Sequence, residues 1–251
     1  MKIDAILSPS ELPALARRDL SATACVVFDI LRATSTFVTA LHHGAAAVIP
    51  VCDIPAAVAL RRTQPAVLLA GERDGVKIRA AQASGIDFDC GNSPREFTPE
   101  KVAGKTIVST TTNGTLALRA CAGAKTVLAA SFLNLAATAK FLREKNCAEV
   151  LLVCAGTGEG VALEDVLAAG VLAELLTGRQ GADIAVSDSA TIAVRTFLNA
   201  QPDLAAALGS SQNARRLLAI PELRADVAFC SQRDIFELVA EMKTDGAIRR
   251  G

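Results

Sequence analysis

The chain has no tryptophan, no tyrosine and only two histidines among its 251 residues. The histidines, His42 and His43, are adjacent, and neighbouring residues of a helix point about 100° apart, so the two cannot serve one site together. They stand directly before Gly44, where a helix would end and where positive charge is favourable. This shortage of histidine argues against histidine-built zinc hydrolysis, phosphohistidine chemistry and Ser-His-Asp triads.

Net charge is also lacking, because 26 Lys and Arg residues balance 26 Asp and Glu residues. A neutral chain offers no broad electrostatic attraction for nucleic acid or for an anionic membrane surface. Residues 1–13 carry no basic segment followed by an apolar run, and no stretch reaches the roughly 18 apolar residues of a membrane span. We therefore expect a cytoplasmic protein that binds neither nucleic acid nor membrane.

Paired cysteine motifs are absent as well. The seven cysteines are scattered without a Cys-x-x-Cys pair, which argues against a disulfide framework or a zinc knuckle and favours reduced thiols in the core. With histidine chemistry and paired cysteines excluded, the remaining options are carboxylates, hydroxyls, a thiol or a metal ion bound by oxygen atoms.

What the sequence does contain is an alternation of short apolar runs with amphipathic stretches. The alternation predicts an α/β fold, with a mostly parallel sheet and helices on both faces, followed by a helical C-terminal third. The polar residues 71–101 read as a long loop. The predicted strands cover residues 3–7, 24–28, 46–51, 66–70, 106–109, 126–130 and 149–153, and the helices between them residues 34–43, 54–63, 115–122 and 135–145.

Two regions follow from this pattern. We expect residues 1–160 to form an α/β phosphate-binding core and residues 161–251 a mainly helical region packed on it. Within the second region, residues 226–230 are typical of a last strand. The predicted helices there cover residues 161–176, 187–198, 204–208, 213–220 and 234–242.

The stretch 105–118, K-T-I-V-S-T-T-T-N-G-T-L-A-L, is the most informative local pattern. Its β-branched start is typical of a buried strand, and its Ala/Leu end is typical of a helix. A strand that becomes a helix through hydroxyls, Asn113 and Gly114 leaves unpaired backbone N–H groups, which bind an anion such as phosphate. The alternative is that Thr112 or Asn113 merely caps the helix.

Acidic residues also follow other predicted strands. In open α/β sheets, ligands bind outside the carboxyl ends of the strands, where loops and helix N-termini converge. Asp29 directly follows a buried strand, so it is a candidate metal ligand or nucleophile, or simply a charge at a helix start. Glu72 and Arg73 belong to such a site or form a surface ion pair. Glu164 and Asp165 bind a metal or stabilise the first turn of a helix.

Familiar phosphatase and nucleotide-binding motifs are missing. An aspartyl-nucleophile phosphatase would carry a second Asp two residues after Asp29, but Leu31 stands there. Thiol phosphatases need Cys followed by Arg after five residues, and Cys90 and Arg95 are one residue too close. The glycines of residues 156–160 lack both the Rossmann spacing and the ending of a P-loop, so nucleotide cofactors are not supported.

At these strand ends the sequence resembles the 2-phosphosulfolactate phosphatase family. The resemblance covers roughly residues 24–170, in the family's order. One departure is the stretch 79–87, which is longer than the family's usual approach to its Phe-Asp motif and bears on loop closure and substrate range. The matching motifs are F-D-I-L-R-A-T-S-T (28–36), G-E-R (71–73), F-D-C-G-N-S-P (88–94), T-T-T-N-G-T (110–115), S-F-L-N (131–134), C-A-G-T (154–157) and L-E-D (163–165).

The resemblance implies magnesium-dependent hydrolysis of (2R)-2-phospho-3-sulfolactate to 3-sulfolactate and phosphate, a step towards coenzyme M. Our hypothesis makes Asp29 and Arg32 catalytic and lets Asp29, with one or more of Glu72, Glu164 and Asp165, bind Mg²⁺. Either an activated water attacks phosphorus or Asp29 itself becomes phosphorylated. The predicted substrate-binding residues are Arg73, Lys77, Asn92, Ser93, Thr111, Thr112, Asn113, Gly114, Ser131, Asn134 and Thr157.

Two alternative functions stay open at the level of the sequence. The chain could be a phosphatase of other 2-hydroxy acid phosphates, because sulfonate and carboxylate look alike to an arginine. It could also be a non-catalytic binder of small anionic metabolites, since an anion pocket needs no nucleophile. In each case the partner is a small anion, and the sequence permits a homodimer.

Overall fold

The computed structural model describes residues 1–178 and 184–251. These residues form one eleven-stranded sheet in the order β5-β4-β6-β3-β11-β10-β7-β2-β8-β1-β9. The strands are β1 (Lys2–Ile6), β2 (Thr23–Phe28), β3 (Ala47–Pro50), β4 (Leu68–Arg73), β5 (Val76–Lys77), β6 (Thr106–Thr110), β7 (Thr126–Ala130), β8 (Glu149–Cys154), β9 (Ala185–Val186), β10 (Ala240–Met242) and β11 (Ile248–Arg250).

The helices connect and cover these strands. None of the described helices is long and apolar enough to cross a membrane. They are α1 (Leu12–Leu15), α2 (Ala33–His42), α3 (Ile54–Thr63), α4 (Pro99–Val102), α5 (Gly114–Ala120), α6 (Leu135–Glu144), α7 (Leu163–Thr177), α8 (Asp188–Ala200), α9 (Leu204–Gly209), α10 (Gln212–Leu218) and α11 (Arg224–Cys230).

The sheet is mostly parallel, as predicted. β2 pairs in parallel with β7 and β8, β1 pairs in parallel with β8 and β9, and β6 pairs in parallel with β3 and β4. The antiparallel exceptions are β4 with β5 and the C-terminal hairpin of β10 and β11, which lies between β7 and β3. The last residues of the chain therefore join two parallel halves at the middle of the sheet.

The central strand β2 shows why helices cover both faces. Successive side chains of a strand point to opposite faces, and every residue of β2 is buried. Cys25 and Val27 pack in a cluster with residues of α2 and α5, whereas Val26 and Phe28 pack in a second cluster with residues of α6, α7 and α8. The predicted α/β class, with helices on both faces, is confirmed.

Helix α7 is the longest of the described helices. Most of its residues are buried, so it is apolar around nearly its whole circumference. Gly170 allows α8 to approach, because a Cβ at this position would lie 2.2 Å from the carbonyl oxygen of Ala193. Because α7 is buried on most sides, its sequence is apolar throughout and shows no amphipathic face.

Two C-terminal predictions are wrong. Residues 226–230, predicted as a strand, belong to α11, where the buried residues Asp226, Val227 and Cys230 share one helical face. Residues 234–242, predicted as a helix, lead into β10, in which Ala240 pairs with Ala129 of β7. Both strands of the hairpin have only three residues and carry charges, so no periodic pattern marks them.

The histidines lie at the end of α2, as predicted. The helix ends at His42, and Gly44 follows with a φ of +89°. Nδ1 of His43 lies 2.6 Å from the carbonyl oxygen of Phe97, and the ring of His42 stacks on Phe236 with 3.9 Å between centroids. Both histidines thus contribute to packing.

Candidate active site

A cleft of about 320 Å³ opens where several strands end. Asp29 follows β2, Glu72 lies near the end of β4, residues 111–113 follow β6 and residues 156–158 follow β8, and all of these line the cleft. Its volume falls at the small end of the roughly 300–1,000 Å³ that is usual for small-molecule sites. The position at the carboxyl ends of parallel strands is the one that the sheet topology favours for a ligand.

Asp29 joins the end of β2 to the start of α2. Its Oδ1 accepts a hydrogen bond from the N–H of Ala33 at 3.1 Å, so the carboxyl group engages the first N–H of the helix. Asp29 is partly accessible at the cleft, yet its carboxyl group is packed among protein atoms. This burial raises the pKa of Asp29, and the negative charges of Glu72 and Glu164 add to the effect, so that the pKa reaches about 7. A carboxyl group with a pKa near neutrality is suited to proton transfer.

Gly114 makes room for this carboxyl group. A Cβ at Gly114 would lie 2.5 Å from Oδ2 of Asp29 and 2.8 Å from Cβ of Ala33. Any side chain would therefore push the loop after β6 away from Asp29. Gly114 itself does not line the cleft.

Glu72 holds two loops with its carboxylate. Oε1 accepts hydrogen bonds from the N–H of Thr112 at 3.1 Å and from its Oγ1 at 3.0 Å. Oε2 accepts a hydrogen bond from the N–H of Gly75 at 2.8 Å. Both oxygens are therefore engaged by protein donors, although the residue lines the cleft.

Asp165 and Glu164 differ in how fully their carboxylate oxygens are hydrogen-bonded. Asp165 accepts hydrogen bonds from the N–H of Ile30 at 2.8 Å and from that of Gly156 at 3.0 Å, so it ties the end of β2 to the loop after β8. Burial, together with the charge of Glu164, raises the pKa of Asp165. Oε1 of Glu164 accepts a hydrogen bond from Nδ2 of Asn213 at 2.7 Å. Oε2 of Glu164 is buried and has no hydrogen-bond partner among the described residues.

Arg32 lines the cleft but is already paired. Its Nη1 donates to Oδ2 of Asp226 at 2.7 Å, and its Nη2 donates to the carbonyl oxygen of Gly75 at 2.6 Å. Oδ1 of Asp226 accepts a hydrogen bond from Oγ of Ser93 at 2.7 Å. Sequence reasoning missed Asp226, because it stands alone in a stretch that resembles a strand. Ser93, predicted to bind substrate, supports this ion pair and does not line the cleft.

The Thr-Thr-Asn turn after β6 lines the cleft and is fixed by its own side chains. Nδ2 of Asn113 donates to the carbonyl oxygens of Ala155 and Gly158, each at 2.9 Å. Oγ1 of Thr111 accepts a hydrogen bond from the N–H of Thr115 at 3.3 Å. The side chain of Asn113 therefore ties the turn to the loop after β8 and does not cap α5.

Helix α10 supplies a wall of the cleft that sequence reasoning did not assign. Gln212, Asn213 and Arg216 of this helix line the cleft. Nδ2 of Asn213 also donates to Oγ1 of Thr157 at 2.6 Å, so the helix is joined to the loop after β8. Residues 213–220 were predicted only as a helix, since no motif there marks a ligand.

A sequence model described as 2-phosphosulpholactate phosphatase matches residues 8–245. The chain belongs to the 2-phosphosulfolactate phosphatase family. A probable 2-phosphosulfolactate phosphatase of Thermotoga petrophila is 41% identical over 214 residues, 85% of this chain and 86% of that protein. One of Deinococcus radiodurans is 41% identical over 215 residues, 85% of each chain. One of a Cyanothece species is 33% identical over 254 residues, 99% of each chain.

Membership of the 2-phosphosulfolactate phosphatase family confirms the predicted resemblance and makes the chain a phosphoric monoester hydrolase. Its substrate is a small phosphate ester. In this phosphatase the cleft brings together one part of the predicted site. The predicted residues that line it are Asp29, Arg32, Glu72, Asn92, Thr111, Thr112, Asn113 and Thr157.

Other predicted residues of the phosphatase lie outside the cleft. Nη2 of Arg73 lies 3.3 Å from Oγ1 of Thr110, to which it donates, and Lys77 lies on the edge strand β5. Oδ1 of Asn134 accepts a hydrogen bond from the N–H of Ser131 at 3.0 Å, which closes the turn after β7. Both residues of this turn are fully buried. Arg73 and Asn134 thus hold strand ends in place, whereas the buried Oγ of Ser131 has no hydrogen-bond partner among the described residues.

The long stretch 79–87 also lies outside the cleft lining. It folds back on itself, with Oδ1 of Asp87 accepting a hydrogen bond from the N–H of Ala80 at 2.8 Å. Ile78, Ala83 and Phe88 anchor it in a small apolar cluster with residues of β4 and α3.

Of the four predicted ligands for Mg²⁺, Asp29 and Glu72 line the cleft, whereas Glu164 and Asp165 are buried and lie outside its lining. The described residues contain no group of three or more His, Cys, Asp or Glu side chains arranged to hold a metal ion. Mg²⁺ commonly uses only one or two protein carboxylates and completes its octahedral shell with water and phosphate oxygens. Glu164 has a buried oxygen without a partner, and Asp29 lines the cleft, so these two acids fit the ion. Glu72 and Asp165 fit less well, because protein N–H groups occupy their oxygens.

Proposed function

We propose that this enzyme hydrolyses 2-phosphosulfolactate to 3-sulfolactate and phosphate, with Mg²⁺ as its cofactor. The observation that carries the proposal is the carboxyl group of Asp29, which lines a polar cleft beside the end of a central strand in a chain of this family. The names of the relatives support the choice of substrate. We place the reaction in the cytoplasm, as the sequence leads us to expect, and on the route to coenzyme M, as the family resemblance implies.

Asp29 has the role closest to the chemistry. Its carboxyl group lines the cleft, where it is placed to accept a proton from an attacking water molecule. The water oxygen bonds to phosphorus, the bond between phosphorus and the 2-oxygen of the substrate breaks, and that oxygen takes up a proton from solvent, to which Asp29 later returns the proton that it accepted. A direct attack by Asp29 would instead leave a phosphorylated carboxylate that water must then hydrolyse.

The other groups of the cleft bind and orient. Asp29 and Glu164 are the carboxylates that would hold Mg²⁺, which when bound supplies positive charge to the phosphoryl oxygens. Arg32 also lines the cleft, and its guanidinium is held by Asp226 and by the carbonyl oxygen of Gly75, so this part of the wall does not have to be ordered on binding. The tied turn at residues 111–113 adds polar groups to the same cleft.

Phosphate release from a panel of substrates tests the proposal. The panel contains 2-phosphosulfolactate and 2-phospholactate, each with Mg²⁺ and with excess EDTA. We expect Mg²⁺-dependent release, with kcat/KM at least about tenfold higher for the sulfonate, which corresponds to one extra favourable ionic contact. Equal or faster hydrolysis of 2-phospholactate would instead indicate a broader 2-hydroxy acid phosphatase. No release from either compound would indicate a non-catalytic binder.

A further inference from the structure

We infer that Arg216 binds an oxyanion of the substrate that does not react, and that it thereby selects substrates with a charged group beside the phosphorylated carbon. The inference rests on the proposed function, because it assigns a second part of the same substrate. It goes further in naming a residue of the C-terminal region, which carries less of the sequence resemblance, as a determinant of specificity.

The first observation is that most of the cationic side chains near the cleft either have a partner already or do not line it. Arg32 is neutralised by Asp226, and the guanidinium of Arg73 donates to the carbonyl oxygen of Glu72 at 2.6 Å. Lys77 does not line the cleft. Arg216 lines it, is exposed, and has no hydrogen bond or ion pair with any described residue. Among the described cations of the cleft, its charge is therefore the one still available for a ligand.

The second observation is how firmly the backbone under Arg216 is held. Oγ of Ser211 accepts a hydrogen bond from the N–H of Ala214 at 3.2 Å and caps α10. Nδ2 of Asn213 contacts Thr157 at 2.6 Å, and Leu217 is buried. The helix is thus fixed at its start and along its inner face. Only the side chain of Arg216 has to be ordered when a ligand binds.

The third observation is the chemistry of the cleft. Asp29, Glu72 and Asp74 make it acidic, whereas the proposed substrate carries three anionic groups. The phosphoryl group is assigned to the region of Asp29, so the carboxylate and the sulfonate need a separate cation. Leu31, Leu217 and Ile220 also line the cleft, so a bound substrate would exclude water from part of it and thereby strengthen an ionic contact. A guanidinium forms paired hydrogen bonds with either group.

The test compares Arg216→Gln with Arg215→Gln. Arg215 is the neighbouring, exposed arginine of the same helix, but it does not line the cleft and donates to the carbonyl oxygen of Ser210. The substrates are 2-phosphosulfolactate, 2-phospholactate, which lacks the sulfonate, and O-phosphoisethionate, which lacks the carboxylate. Truncating one partner of a charge pair should lower kcat/KM of Arg216→Gln on the full substrate about 30-fold or more, mainly through KM.

The two truncated substrates identify the group that Arg216 binds. The loss should shrink to less than about threefold on the substrate that lacks this group, since no contact is left to remove. Arg215→Gln should behave as wild type on all three. An equal loss on all three substrates, no loss for Arg216→Gln, or an equal loss for Arg215→Gln would overturn the inference.

A binding measurement separates this inference from the proposed function. Calorimetric titration with 3-sulfolactate should show weaker binding to Arg216→Gln than to wild type, whether or not turnover occurs. If wild type hydrolyses none of the three esters but binds 3-sulfolactate through Arg216, the proposed function fails and the anion site stands. If wild type hydrolyses 2-phosphosulfolactate and Arg216→Gln is unchanged in both assays, the function stands and the inference fails.

Discussion

Nη1 of Arg32 donates a hydrogen bond to Oδ2 of Asp226 at 2.7 Å, and the side chains are only 2% and 0% exposed. The two residues are 194 positions apart in the chain, so α11 must dock on the rest of the fold before Arg32 is fixed. This ion pair makes the C-terminal region part of the site, because Arg32 lines the cleft and Asp226 holds it there.

Removal of the Asp226 charge should destabilise the protein. In Asp226→Asn the buried guanidinium of Arg32 loses its charged partner, and the free energy of unfolding should fall by about 3 kcal/mol. Urea unfolding followed by circular dichroism measures the change, since the chain has no tryptophan or tyrosine. Ser93→Ala, which removes one hydrogen bond to Asp226, should cost only about 1 kcal/mol. A variant Asp226→Asn that is as stable as wild type would show that the pair is not important for folding.

A methyl group at Gly114 should disturb Asp29. In Gly114→Ala the new Cβ would lie 2.5 Å from Oδ2 of Asp29, so the loop or the carboxylate must move. We expect kcat to fall about 100-fold, because small displacements of a reacting group are costly. Gly123→Ala is the matched control, since its Cβ would meet no atom within 4 Å. Unchanged kcat in Gly114→Ala would contradict the placement of Asp29.

Two of the predicted metal ligands, Glu164 and Glu72, differ in how many of their carboxylate oxygens are already hydrogen-bonded. Glu164 has a buried oxygen without a partner, whereas both oxygens of Glu72 are engaged. Glu164→Gln should therefore abolish most of the rise in melting temperature on addition of Mg²⁺. Glu72→Gln should lower the melting temperature itself but retain most of that rise. The reverse pattern would assign the ion to Glu72.

The raised pKa of Asp29 has a consequence for stability in EDTA. A carboxyl group whose pKa is raised to about 7 by burial binds its proton more tightly when the protein is folded. Its contribution to stability is full below about pH 4 and is lost as the pH rises through 7.

Asp29→Asn should remove this dependence, because the amide has no charge to bury and its oxygen still accepts the bond from Ala33. The variant should be as stable as wild type at pH 4 and more stable by over about 1 kcal/mol at pH 8. Thermal melts over this pH range, followed by circular dichroism, provide the measurement. A less stable variant at pH 8 would show that the Asp29 charge is not a burden on the fold.

The fold was predictable where local pattern and tertiary packing agree. The strand at residues 24–28 and the helix at residues 161–176 are apolar enough that burial alone determines their place. The hairpin of β10 and β11 was not predictable, because residues 240–242 and 248–250 are short and partly charged. Their pairing with β7 and β3, rather than any propensity, makes them strands.

The site residues that directly follow strands could be predicted from the sequence. Asp29 and residues 111–113 were found from their position after apolar runs, and the structure brings them to one cleft. The sequence could not show that Asp165 and Glu72 are engaged by backbone N–H groups, since those bonds depend on the fold. Nor could it show Asp226 or Arg216, because both lie on helices whose docking is decided by contacts distant in the chain.

The value of kcat/KM for Asp29→Asn on 2-phosphosulfolactate, at saturating Mg²⁺, tests the central claim most directly. Loss of a proton acceptor that also holds the metal should lower it by at least about 1,000-fold relative to wild type. Folding of the variant is checked by its melting curve in the same buffer. A fall of less than about tenfold would contradict the account, because Asp29 would then be neither the reacting group nor a metal ligand.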